Sequence, residues 1–167
     1  GNGSAVAQQM FFLGIWDLVK FVCPDSPRLA ATAHPPWLEM QVQEPSLEWW
    51  TYVKKATAST PRVVNEPTYD WDEYDGGVEA VEHVMSVIQS EGPFAGIIGF
   101  SQGSLLAAFV AKLYPEKFKF VILFGTFYYP IAPWPKVFKE PFDLPTLVLH
   151  GSSDNVVPLE KGREMAL

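Results

Sequence analysis

The residue best suited to covalent chemistry in this chain is the serine of Gly99-Phe100-Ser101-Gln102-Gly103, a G-x-S-x-G pentapeptide. It follows the uncharged run Phe94 to Phe100 and precedes a helical pattern from Gln102 to Leu113 that ends near Pro115. A serine on so tight a strand-to-helix turn has its hydroxyl held out at the edge of the sheet, ready to attack a carbonyl. Glycines at 99 and 103 are expected to remove side chains that would collide with neighbouring backbone. The backbone N–H of Gln102 then faces the place where an oxyanion develops, at a helix N-terminus whose dipole favours negative charge. The bare five residues also occur at ordinary turns, so their weight comes from the strand before them and the helix after.

A second candidate follows in Leu147-Val148-Leu149-His150-Gly151-Ser152-Ser153-Asp154, where a strand runs into a loop that ends in a carboxylate. Asp154 in that place can orient an imidazole, and an acid after the serine fits the chain order Ser, Asp or Glu, His of the α/β-hydrolases. The plainer reading of Asp154 is a loop or helix cap. The third member of such a triad is missing. A general base must reach the serine hydroxyl, yet the three histidines are His34, His83 and His150, all before Asp154. His83 falls inside a helix beside its apolar face, and His34 stands before two prolines in an aromatic loop. His150 ends a strand and is expected to hydrogen-bond within the sheet edge. The base is therefore expected beyond Leu167. This chemistry calls for no metal and no cofactor.

The elements that must position these groups read as alternating strands and helices. Asn2 and Ser4 are caps for a helix over Ala5 to Leu18. Phe21, Val22 and Cys23 read as a short buried strand closed by Pro24-Asp25-Ser26-Pro27, and residues 24 to 45 as mostly loop. Ser46 to Lys55 reads as one short helix, and Ala56 to Asp72 as loop. Asp75 to Gln89 has Val78, Val81, Val84, Met85 and Ile88 on one helical face, with Gly92-Pro93 as its stop. Phe120 to Phe124 and Thr146 to His150 are further apolar strands, separated by the proline- and aromatic-rich Thr126 to Asp143, which fits no regular element. Strands written as continuous apolar runs between helices imply an α/β fold: a mostly parallel sheet flanked by helices on both faces. The segment Leu159 to Leu167 reads as a helix stopped mid-pattern.

Composition narrows the function classes. With 48% hydrophobic residues the 167-residue chain has material for one core, and one domain over 1–167 is expected. A net charge of -7 with 12 scattered Lys and Arg argues against nucleic acid or an anionic membrane as partner. No run of about 18 apolar residues suggests a membrane span. The single cysteine, Cys23, allows no intrachain disulfide, which suits the cytoplasm or an organellar lumen of reducing character.

At these residues the chain resembles the FSH1 serine hydrolases, a branch of the α/β-hydrolases related to small carboxylesterases and thioesterases. The resemblance spans nearly the whole chain and rests on four blocks: Phe21 to Pro27; Glu91-Gly92-Pro93-Phe94-Ala95-Gly96-Ile97-Ile98 leading into the serine motif; Phe120-Val121-Ile122-Leu123; and His150 to Pro158. It implies Ser101 as nucleophile, Asp154 as triad acid, and a small apolar ester or thioester as substrate. It also implies a first strand and a C-terminal Gly-His segment that this chain lacks, so both ends look cut. Gly1 to Ser4 resembles the tail of the family's first oxyanion loop, which makes Asn2 a second oxyanion candidate. Trp37, Trp49, Trp50, Phe127, Tyr128, Tyr129 and Trp134 either line an acyl pocket or pack their loops onto the domain or another protein. Two rival readings stand beside the hydrolase. One is a non-catalytic hydrolase-fold subunit whose partners are other protein subunits of a larger assembly; the other is a relative that holds an acyl or isoprenoid ligand without turnover.

Overall fold

Alternation of burial, rather than overall hydrophobicity, separates the first strands from the loops around them. The computed structural model describes residues 18–30, 47–58, 63–64 and 70–165. Strand β1 (Arg28–Leu29) pairs antiparallel with β2 (Leu47–Glu48). Strand β3 (Thr51–Lys54) lies between β4 (Val63–Val64) and β5 (Glu73–Asp75), antiparallel to both. These pairs correct two expectations. Phe21 to Cys23 forms no strand; it runs half-buried, and β1 begins five residues later. In the expected helix Ser46 to Lys55, the described residues from Leu47 on are not helical, because Thr51, Tyr52, Val53 and Lys54 alternate between buried and half-buried and find a ladder on β5. β-branched and aromatic residues with a partner strand outweigh a weak helical period. The expected helix over Ala5 to Leu18 lies outside the described residues up to 17, as do His34 and Trp37.

The second half of the chain follows its pattern closely. Helix α1 (Gly77–Glu91) buries Ala80, Val81, Val84 and Met85 and ends at Gly92. Strand β6 (Gly96–Phe100) leads into α2 (Gln102–Leu113), a single 3-10 turn spans Pro115–Lys117, and β7 (Phe120–Phe124), β8 (Thr146–Leu149) and α3 (Leu159–Glu164) complete the order. Strands β6, β7 and β8 form a parallel sheet in that spatial order, with Gly99 opposite Leu123 and Leu123 opposite Val148. Parallel neighbours need a crossover between them, and α2 supplies the first one.

Strand alternation divides this sheet into two faces. Ile97, Gly99, Val121, Leu123 and Val148 point toward α2, whose residues from Ser104 to Ala111 are all buried, and α1 packs on α2. Ile98, Ile122 and Phe124 share the opposite face with Phe100 and Leu147, which are 61% and 50% exposed. The long segment from Thr126 to Asp143 has no helix or strand, as expected, yet it is tightly bound. The Tyr74 hydroxyl donates to the Tyr129 carbonyl at 2.7 Å and accepts the Tyr129 N–H at 3.0 Å, and Tyr74 N–H donates to the Ala132 carbonyl at 2.9 Å. Burial pushes the Tyr74 phenol far above its usual range, so it stays a neutral bridge. Around it, Trp50 and Tyr74 lie 5.2 Å apart, Tyr74 and Phe109 5.5 Å, and Phe109 and Trp134 4.5 Å, centroid to centroid. Trp50, Phe127 and Trp134 thus pack the irregular segments onto the domain.

Candidate active site

A parallel sheet brings the carboxyl ends of its strands to one edge, and loops leaving that edge are where ligands meet α/β folds. Here the three strand ends are tied in series. Ser101 N–H donates to the Phe124 carbonyl at 2.9 Å, and Gly125 N–H donates to the Leu149 carbonyl at 2.9 Å. Ser101, Gly125 and His150 therefore follow one another across the edge, one strand apart.

Ser101 sits in the left-handed region, φ 51 and ψ -124, alone among the described non-glycine residues. Such a backbone costs on the order of 1–3 kcal/mol and persists only where surrounding contacts impose it. Two contacts do so here. The Ser101 carbonyl accepts Ser104 N–H at 2.9 Å and the Ser104 hydroxyl at 2.6 Å, closing the first turn of α2. Gly99 lets that turn cross the strand: a Cβ there would collide with the Gly103 carbonyl oxygen and the Ser104 Cα. Gly103 is different, because its Cβ would meet only the Trp49 indole nitrogen, at 3.5 Å, an ordinary contact. Of the two glycines in the pentapeptide, Gly99 alone is required by close approach of backbone. The half-buried Ser101 hydroxyl has no hydrogen-bond partner among the described residues.

Gln102 contributes more than its sequence position suggested. Its N–H belongs to the first turn of α2, which has no intrahelical acceptor to offer, at the positive end of the helix dipole. Its side chain grips the β2–β3 connection at two points: Oε1 accepts Trp49 N–H at 2.7 Å and Nε2 donates to the Trp50 carbonyl at 2.9 Å. The other proposed oxyanion donor, Asn2, lies outside the described residues.

Asp154 stands after the turn that follows β8. Its Oδ1 accepts Val156 N–H at 2.8 Å and Val157 N–H at 2.9 Å, the pattern of a loop-capping aspartate. Its Oδ2 has no hydrogen-bond partner among the described residues and lies 3.8 Å from the position a Cβ on Gly125 would take. The cap and the orienting acid are therefore compatible, one oxygen for each. Along the sheet edge Gly125 follows Ser101 and Asp154 Oδ2 lies beside Gly125, which leaves the gap between serine and acid at the end of β7.

Neither described histidine fills that gap. The side chain of His150 is buried, its Nε2 lies 2.7 Å from the Val157 carbonyl and 3.9 Å from Asp154 Oδ2, and its Nδ1 has no hydrogen-bond partner among the described residues. Because a carbonyl only accepts, Nε2 carries the proton. His83, on α1, is half-buried with its ring 6.2 Å from that of Trp49, and its Nε2 is also without a partner. The sequence signals that could have revealed the Gln102 grip were absent, since its donor Trp49 and its acceptor Trp50 lie 53 and 52 residues away.

The sequence model of the serine hydrolase (FSH1) family matches residues 9–167. The chain belongs to that family. Its fold is accordingly that of an α/β-hydrolase, in which the strained serine turn and the parallel sheet have their place. Esterase OVCA2 of Danio rerio is 33% identical over 94 residues, covering 52% of this chain and 41% of that protein. Esterase OVCA2 of Bos taurus is 32% identical over 125 residues, covering 70% of this chain and 52% of that protein. An uncharacterised hydrolase of Schizosaccharomyces pombe is 39% identical over 92 residues, covering 49% of this chain and 21% of the relative. The chain thus spans about half the length, or less, of these curated relatives. No solved structure matches it. No helix among the described residues is long and apolar enough to cross a membrane.

Proposed function

We propose that the protein hydrolyses an ester or thioester of an apolar acid through Ser101. The observation that carries this reading is the strained Ser101 turn between β6 and α2, with the Oδ2 of Asp154 beside Gly125, the next residue along the sheet edge. Ser101 Oγ attacks the acyl carbonyl while its proton passes to a histidine; the oxyanion is held by the Gln102 N–H and by a second donor near Asn2. Collapse expels the alcohol or thiol, which takes the proton back, and leaves an acyl ester on Ser101. Water then attacks with the same histidine as base, releasing the acid. Asp154 orients the imidazole through Oδ2 and stabilises its charged form. That histidine is one outside these 167 residues, and the whole forms a single hydrolase unit with them, in a reducing compartment.

An apolar acyl group fits Phe100, 61% exposed directly before the serine, and the net charge of -7, which disfavours anionic substrates. The test is hydrolysis by the full-length protein of esters and thioesters of graded acyl length. Rates that rise with acyl length and vanish in Ser101→Ala are expected. A folded protein that hydrolyses none of them would instead be a non-catalytic subunit of the same fold.

A further inference from the structure

His150 occupies the position next to the candidate acid without being able to act as base, and its surroundings give it another task. Its side chain is 4% exposed. Its Nε2–H donates to the Val157 carbonyl at 2.7 Å, and the Val157 N–H in turn donates to Asp154 Oδ1 at 2.9 Å. Val157 is thus held from both sides of one residue, by the imidazole and by the carboxylate. The loop between His150 and Val157 is closed by this relay and by Asp154 N–H donating to the Gly151 carbonyl at 3.2 Å.

The ring's own place is set by α3. A Cβ on Gly162 would collide with His150 Nδ1 and Cγ, so the imidazole lies directly against helix backbone. Nδ1 is buried there with no hydrogen-bond partner among the described residues. The Val157 carbonyl, which only accepts, requires a proton on Nε2. The nearest acid is Asp154 itself, whose Oδ2 at 3.9 Å is outside hydrogen-bond distance and stays turned to the strand edge.

We propose that His150 is a positioning residue for Asp154: seated on Gly162, it locks Val157 so that the two loop amides fix Oδ1 and leave Oδ2 facing the gap beside Ser101. This rests on the reading of Asp154 as the orienting acid. The lock acts through geometry, and a displacement of about 1 Å in a catalytic group costs on the order of 10²-fold in rate.

The amide nitrogen of glutamine reaches the place of an imidazole Nε2, whereas asparagine reaches only that of Nδ1. In the full-length protein, His150→Asn and Gly162→Ala are expected to lower kcat toward acyl esters by roughly 10²-fold with KM little changed, and His150→Gln is expected to restore most of it. Losing the carboxylate from its place also lowers the pKa of the histidine it orients, so the acidic limb of the kcat/KM profile moves to lower pH in His150→Asn and stays in His150→Gln. Asp154→Asn serves as the reference. If Asp154→Asn keeps full activity, the reading of the acid fails first and the lock with it. If Asp154→Asn is inactive while His150→Asn and Gly162→Ala lose only thermal stability, with kcat and pH profile intact below their melting temperatures, the proposal is overturned and the triad reading stands. Should His150→Asn not fold, Gly162→Ala decides by the same readouts.

Discussion

Gln102 and Trp49 are joined across 53 residues of chain, the side-chain oxygen of one accepting the backbone N–H of the other at 2.7 Å. With the second bond to the Trp50 carbonyl, the residue after Ser101 holds the β2–β3 connection against the start of α2. Each buried hydrogen bond contributes about 1 kcal/mol and leaves an unsatisfied backbone group when removed. Gln102→Ala should therefore cost about 2 kcal/mol or more in urea unfolding. Its backbone N–H survives the substitution, so any activity should fall less than in Ser101→Ala.

The two glycines of the pentapeptide should behave differently. Gly99→Ala drives a methyl into the Gly103 carbonyl and the Ser104 Cα, and overpacking against backbone costs about 1–3 kcal/mol or more. Gly103→Ala meets only the Trp49 indole at 3.5 Å and lies in a helix, where alanine is favoured over glycine by up to about 1 kcal/mol. Thermal unfolding of the two variants should show a large loss for the first and little change or a gain for the second.

Ser101 itself stores strain, and removing its hydroxyl in two ways isolates it. Ser101→Ala keeps a Cβ at φ 51, whereas Ser101→Gly does not. Calorimetry should find the glycine variant more stable than the alanine variant by about 1 kcal/mol, since only glycine adopts this backbone freely. Equal stabilities would show that the turn is relaxed.

Thr126 follows Gly125 at the same sheet edge, and its hydroxyl is fully buried with no hydrogen-bond partner among the described residues. A buried hydroxyl without a partner costs about 1–3 kcal/mol of desolvation. Thr126→Val, of nearly the same shape, should raise the stability by about 1 kcal/mol in chemical unfolding.

The sequence was most legible where one physical signal dominated. Strands β6, β7 and β8 are uncharged runs and α1 carries a single apolar face, so their bounds fall within two residues or so of those expected from pattern. Trp49 to Lys54 misled because its apolar spacing suits a helix as well as a strand, and the ladder on Glu73–Asp75 that decides the matter is a tertiary fact. Phe21 to Cys23 has the composition of a strand but lies in none. In the candidate site, Ser101 and Asp154 could be singled out in the sequence because local turn chemistry marks them. The Gln102 grip, the His150–Val157 lock and the unequal roles of Gly99 and Gly103 were not, because each depends on groups brought together only by the fold.

The central claim is that Ser101 is an activated nucleophile oriented toward Asp154. Labelling of the folded full-length protein with a fluorophosphonate probe, with the modified peptide located by mass spectrometry, tests it most directly. Modification confined to Ser101, absent in Ser101→Ala and slowed by about 10²-fold or more in Asp154→Asn, is expected. A folded protein that leaves Ser101 unmodified would contradict the account.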